Sequence, residues 1–347
     1  MTPVYLFGFA ASFIAAVVLM PVSNVLAKRF GIVDRPARRK MNFRPLTRWG
    51  GFGSFLAFIA VLGIMAAIFP SFRVLLAHEF TFAWGGGEET VRLGGQLEGI
   101  LVAAVIIVIV GTVDDRRGIP PLVKLLFQVI AAFIALDYGV RIIGFSVPFS
   151  DRFIVFPRFV SQAVTVLWLC GFMNMVNLAD GVDGLAAGIV AICGFAFFVI
   201  SLLQQQAGVA AEQMKLSAVL ATLLTGSAAG FLVYNFFPAK LFMGDTGALF
   251  FGLIIGCITT VGVLKTGAVV AFVIPVLVIG IPFVDVVLAV LRRVRTGTAI
   301  GQADRSHLHH LLLRSDWTPR EVTLLFYVIT LLLAITVITF VALKAKL

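Results

Sequence analysis

Ten apolar runs, each about the length of a membrane-spanning helix, dominate this chain of 347 residues. They lie near 4–26, 50–70, 97–113, 121–137, 159–178, 184–204, 214–234, 247–264, 267–291 and 321–343. A bilayer core is crossed by about 20 helical residues. Backbone polar groups in lipid must be satisfied within a helix or a closed barrel. Barrel strands alternate with period two, and these runs do not. The expected fold is therefore an all-α polytopic membrane protein of about ten transmembrane helices, a single integral unit over 1–347. Charged residues make up 13% of the chain and the mean hydropathy is +1.06. A soluble domain carries about 25% charged residues, so a soluble globular enzyme is excluded, and so is a disordered chain. No Lys or Arg precedes the first run, whereas Lys28 and Arg29 follow it, which is not the pattern of a cleaved signal peptide.

The basic residues set an orientation. Loops one, three, five, seven and nine hold 17 of the 27 Lys and Arg; the other side, with both termini and with Lys215 at the start of its run, holds 9, and Lys124 falls inside a run. The first loop alone carries Lys28, Arg29, Arg35, Arg38, Arg39, Lys40, Arg44 and Arg48. The positive-inside rule makes the odd loops cytoplasmic and both termini external. A net charge of +10 on such a chain reports topology and anionic lipid rather than nucleic acid. Cys170, Cys193 and Cys257 lie in apolar runs with no CxxC, and read as core residues rather than disulfides. The even loops look plain, and 139–158 suits a short external hairpin.

The acidic residues are few, and five aspartates among them cluster on one side. Asp114, Asp115, Asp180, Asp183 and Asp245 all fall on the cytoplasmic side, as do His307, His309 and His310. Asp114 and Asp115 end the third run. Two carboxylates at a helix C-terminus oppose its dipole, and either pairing with Arg116 and Arg117 or a nearby Lys, Arg or metal would relieve the cost. Asn174 and Asn177 share a helix face three residues apart, and Asp180-Gly181 and Asp183-Gly184 then form a polar elbow into the sixth run. The stretch from Asn235 to Gly247 contains Lys240, Phe242 and Asp245. Asp245 between glycine and threonine suits a hard cation such as Mg²⁺. Phe242 either stacks on a nucleobase or seals the membrane interface. Arg305 and the three histidines have no cysteine nearby, cannot close a tetrahedral zinc site alone, and better suit phosphate oxygens. Lys124 and Asp285 lie within runs, where ionisable groups are functional candidates.

These motifs occur in an order that resembles the polyprenyl-phosphate N-acetylhexosamine-1-phosphate transferases. The residues that carry the likeness are Asp114-Asp115, Asn177 to Ala186, Phe242 to Gly247, and His307-Leu308-His309-His310. Asp34-Arg35-Pro36, Arg39-Lys40, Pro45 and Gly50-Gly51 resemble that family's first cytosolic loop. Asn42, Thr47 and Ala248 depart from its usual His, Pro and Ser. The sequence from Asp304 to His310 is more similar to the branch using UDP-GlcNAc than to the MurNAc-pentapeptide branch.

The resemblance implies a multi-pass enzyme of the bacterial cytoplasmic membrane. Its partners would be a UDP-HexNAc donor and a polyprenyl phosphate acceptor in the bilayer, with UMP released and a lipid-linked envelope glycan begun. A second copy of the chain is a candidate homodimer partner. By the same resemblance Asp245, with Asn177, holds Mg²⁺ (or Mn²⁺), and Asp114, supported by Asp115, orients or deprotonates the lipid phosphate. Asp180 and Asp183 read the nucleoside, Phe242 stacks on it, and Asn235 and Asn174 position it. Lys124, Arg305, His307, His309 and His310 hold the phosphates or sugar. A transporter or flippase is the competing class, but it would place its ionisable groups near the midplane and show a repeat. A non-catalytic scaffold would not require these loops.

Overall fold

The computed structural model describes residues 1–34, 45–84, 87–146, 153–206, 210–262, 312–313, 315 and 317–344. The described runs are helical. They form α1 (Thr2–Arg29), α2 (Gly50–Ile68), α4 (Leu93–Arg117), α5 (Pro121–Asp137) and α6 (Arg158–Ala179). They continue as α7 (Leu185–Gln206), α8 (Ala211–Asn235), α9 (Gly244–Val261) and α10 (Pro319–Lys344). Among the described residues, eight of these helices are long and apolar enough to cross a bilayer; α5, with 17 residues, fills the fourth run. The run at 267–291 lies outside the described residues, together with Asp285, Arg305, His307, His309 and His310.

The segment 71–96 is not the plain loop expected. It holds a short helix, α3 (Pro70–Ala77), and a hairpin of β3 (Glu79–Trp84) and β4 (Gly87–Arg92). The expected hairpin in 139–158 is present as β5 (Gly144–Ser146) paired with β6 (Phe153–Val155). Both hairpins sit at one end of the bundle, where Arg141 forms an ion pair with Glu89 of β4 and Gln96 donates to the Gly139 carbonyl at 2.6 Å. The opposite end carries a third, very short pairing, β1 (Val33–Asp34) with β2 (Leu46–Thr47).

Helix α9 is the axis of the bundle, with Thr246 through Val261 all buried. It packs on α2, α4, α6 and α8. Two glycine crossings bring its N-terminal turn close to its neighbours. A Cβ on Gly51 of α2 would fall on the Gly247 backbone, and one on Gly111 of α4 would meet the Thr246 backbone. Apart from lipid, dispersion is what holds such helices together, and close backbone approach maximises it. Helix α1 instead turns Leu6, Ile14, Val18 and Val25 outward, as expected of a peripheral helix in lipid.

Candidate active site

At the end opposite the two hairpins, the last turns of α4, α6 and α8 meet the first turns of α5, α7 and α9. Every described acidic candidate is there. Asp114 and Asp115 lie within the last turn of α4 rather than beyond it; the helix stops at Gly118, whose φ is 71°. Asp114 is buried and accepts the Ile119 N–H at 2.6 Å. Its other oxygen pairs with the ammonium of Lys124 on α5, which also reaches Asp245 Oδ2 at 2.8 Å. Lys124, rather than exposed Arg116 or Arg117, thus relieves the carboxylate. The remaining oxygen of Asp245 accepts a hydrogen bond from the Asn177 amide. Asp114, Lys124, Asp245 and Asn177 form one cluster drawn from four helices.

Asp115 has a different surrounding. Its Oδ1 accepts the Asp245 N–H at 2.8 Å, and its Oδ2 accepts the Thr246 N–H at 3.0 Å and the Thr246 hydroxyl at 2.6 Å. The first N–H groups of a helix have no partner within it, and its N-terminus favours an anion. Asp115 caps α9 from another helix. Its oxygens are taken up by α9, so the support it gives Asp114 runs through Asp245, whose place it sets.

The elbow between α6 and α7 carries Asp180 and Asp183. Asp183 accepts the Ala239 N–H at 2.9 Å. Burial, followed by the nearby charges of Asp245 and Asp115, holds the Asp180 carboxyl well above the usual carboxylate range; Arg48 acts in the opposite direction. Burial also pushes Asp183 up. Two expected binding residues are turned to other uses. Asn235 is buried, accepts the Gly184 N–H at 3.1 Å and donates to the Leu241 carbonyl at 3.0 Å, so it joins the elbow to the α8–α9 connection. Asn174 lies a turn deeper than Asn177 and spends its N–H donors on Gln128 (2.6 Å) and the Cys170 carbonyl (2.8 Å). It ties α6 to α5. Phe242 is half-buried, and its backbone is laced to the first loop: its N–H donates to the Thr47 carbonyl at 2.9 Å, and its carbonyl accepts the Gly50 N–H at 2.9 Å.

Several site residues escaped the sequence. Thr246 is in a quoted motif but had no task. Trp49 donates to Thr112 at 3.0 Å and stacks on Phe52 at 4.2 Å between centroids. Arg48, paired with Asp34 at 3.0 Å, had been one of eight charges counted for topology. Gln128 had a readable signal: it is a lone amide in an apolar run, four residues after Lys124 and so on the same face.

Among the described residues, no three Asp, Glu, His or Cys side chains form a metal cage, and Lys124 is the one Lys or Arg within ion-pair distance of the five aspartates. Such an acidic, oxygen-rich surrounding fits a hard divalent ion that takes one or two carboxylates and completes its shell with water and phosphate. Asp245 could hold one together with Asn177 once the Lys124 ammonium, which now pairs with Asp245 Oδ2, gives way.

A polytopic helical bundle with an acidic cluster at one end defines a class of membrane enzyme, and comparison with known proteins resolves the family. The profile of glycosyl transferase family 4 matches residues 97–263. The chain is 32% identical over 332 residues to a probable undecaprenyl-phosphate N-acetylglucosaminyl 1-phosphate transferase of Bacillus subtilis, covering 95% of this chain and 83% of the relative. It is 32% identical over 337 residues to the decaprenyl-phosphate N-acetylglucosaminephosphotransferase of Mycobacterium tuberculosis, covering 93% and 78%. A phospho-N-acetylmuramoyl-pentapeptide-transferase of Carboxydothermus hydrogenoformans is 30% identical over 256 residues, covering 68% and 74%. The chain belongs to glycosyl transferase family 4.

Proposed function

We propose that this chain transfers GlcNAc-1-phosphate from UDP-GlcNAc to a polyprenyl phosphate such as undecaprenyl phosphate, releasing UMP, at the cytoplasmic face of the bacterial inner membrane. The carrying observation is the Asp114–Lys124–Asp245–Asn177 cluster at one end of the bundle. The relatives named as GlcNAc-1-phosphate transferases match more of the chain than the pentapeptide transferase does, which favours the simple sugar. The excess of basic residues on the same side as the cluster supports a cytoplasmic orientation.

In the proposed reaction a lipid-phosphate oxygen bonds to the β-phosphorus of the donor. The bond from that phosphorus to the oxygen shared with UMP breaks, and UMP leaves with that oxygen and the electron pair. Such transfer asks chiefly for positioning and charge neutralisation. Asp114 orients the acceptor phosphate; its second pKa of about 6 leaves it mostly ionised at neutral pH, so no strong base is needed. The Lys124 ammonium, already between two carboxylates, neutralises phosphate oxygens. Asp245 and Asn177 would hold Mg²⁺ (or Mn²⁺), which would supply charge neutralisation to the diphosphate and to departing UMP. Asp180 and Asp183 face the nucleoside, with Phe242 beside it. Arg305, His307, His309 and His310 take the sugar and diphosphate.

The test is UMP release by purified protein given undecaprenyl phosphate, Mg²⁺ and either UDP-GlcNAc, UDP-GalNAc or UDP-MurNAc-pentapeptide. UDP-GlcNAc should be used and the pentapeptide donor refused, and EDTA should stop release. Use of the pentapeptide donor alone would move the chain to the other branch, and full activity in EDTA would remove the metal role from Asp245.

A further inference from the structure

The elbow bearing Asp180 and Asp183 is fastened to α10, a helix that contributes nothing to the acidic cluster. Thr323 donates its hydroxyl to the Asp183 carbonyl at 3.1 Å, and Tyr327 donates its own to the Gly184 carbonyl at 2.5 Å. The two are four residues apart and share one face of α10. That face is seated in a slot. Thr323 is fully buried, and a Cβ on Gly188, one turn into α7, would fall on the Tyr327 ring and hydroxyl. Asn235 and the Ala239 N–H hold the elbow from the other side. Gly184 has a φ of 77°, which only glycine adopts without strain, so the elbow's own backbone is permissive and its rigidity comes from these outside contacts.

We propose that Thr323 and Tyr327 are positioning residues for the transfer reaction: they fix the Asp180–Asp183 elbow in the place that receives the donor nucleotide, without touching it. The proposal rests on the elbow being the nucleotide subsite. A preformed elbow spares the donor the entropy of ordering it, so the effect belongs in donor affinity. Lipid phosphate meets the cluster at Asp114 and Lys124, on α4 and α5, whereas α10 packs chiefly on α7, and its affinity should be untouched.

The experiment measures KM for UDP-GlcNAc, KM for undecaprenyl phosphate and kcat in wild type, Tyr327→Phe, Thr323→Val and Thr323→Ser. Phe and Val remove one hydroxyl each while keeping size. With one hydrogen bond lost, the donor KM should rise about five-fold in each, with the acceptor KM and kcat close to wild type. Thr323→Ser, which keeps the hydroxyl, should restore the donor KM. A donor KM within about two-fold of wild type in both hydroxyl-deleted variants overturns the proposal, given what a hydrogen bond is worth. A fall in kcat alone, as loss of folded protein gives, or donor and acceptor KM rising together, as a general distortion of the site gives, also overturns it. Failure of the underlying reading looks different: wild type would release no UMP from any UDP-sugar, or Asp180→Asn would leave the donor KM unchanged.

Discussion

Asp114 and Asp115 are neighbours in sequence with separate tasks, and the separation comes from residues far along the chain. Asp114 faces Lys124 in the cluster; Asp115 caps α9 through Asp245 and Thr246, 130 and 131 residues away. The pair was legible as special because two carboxylates stand alone at the end of an apolar run. Its division of labour was not, because it depends on which helix end packs opposite. Asp115→Asn puts an N–H₂ against donors of α9, and should destabilise the protein by about 1–3 kcal/mol, read as a lower Tm in detergent, as well as reduce turnover. An unchanged Tm would show that the cap contributes nothing. Asp180 gives a pH prediction. Its carboxyl is raised in the folded state, so the native protein binds that proton more tightly than the unfolded chain does. That contribution to stability is fully present below the ordinary carboxylate value of about 4 and is lost as pH rises through the raised value. Asp180→Asn removes the titrating carboxyl. Without divalent ions, its Tm should therefore gain on wild type as pH rises from about 4 toward neutrality. A Tm difference independent of pH would contradict the assignment.

The spanning helices were the most legible elements, since length and hydropathy suffice for a segment that must satisfy its own backbone in lipid. The ends were less so: α4 runs on to Arg117, beyond the apolar run that marked it, because polar residues continue a helix once it leaves the bilayer. The pairing of β3 with β4 and the short α3 were illegible as structure, because in 71–96 composition reads only as loop while the pairing depends on register. Gly50-Gly51 could be read as a motif but not as a crossing, since its partner Gly247 lies in another helix. Helix α2 contains its own control. Gly63 has open space around the position of a Cβ, whereas Gly51 has the Gly247 backbone there. Gly63→Ala should leave stability equal or raise it by about 0.5–1 kcal/mol, the usual cost of glycine within a helix. Gly51→Ala should lower stability by about 1–3 kcal/mol, as overpacking does. Thermal unfolding of both variants in one detergent decides it; equal effects would contradict the close α2–α9 crossing.

Across the whole molecule, five aspartates that the sequence places on one side become one site where six helix ends converge. What the sequence could not supply was how residues on that side divide between chemistry and construction. Asn174, Asn235 and Asp115 stand among the polar motifs, yet their hydrogen bonds go to helix packing, the elbow and a helix cap. Orientation has its own test: Arg117→Cys, exposed at the site end, should resist an impermeant thiol reagent in intact cells, whereas Glu88→Cys, exposed on β4, should react. The reverse labelling would turn the molecule over. The central claim concerns which bond is broken. Supplied with UDP-GlcNAc labelled at the β-phosphorus, undecaprenyl phosphate and Mg²⁺, the protein should move the label into the lipid phase in step with UMP release, and only when the lipid phosphate is present. Label that stays in water as UDP while the sugar alone passes to lipid, or label that does not move at all, would contradict the account.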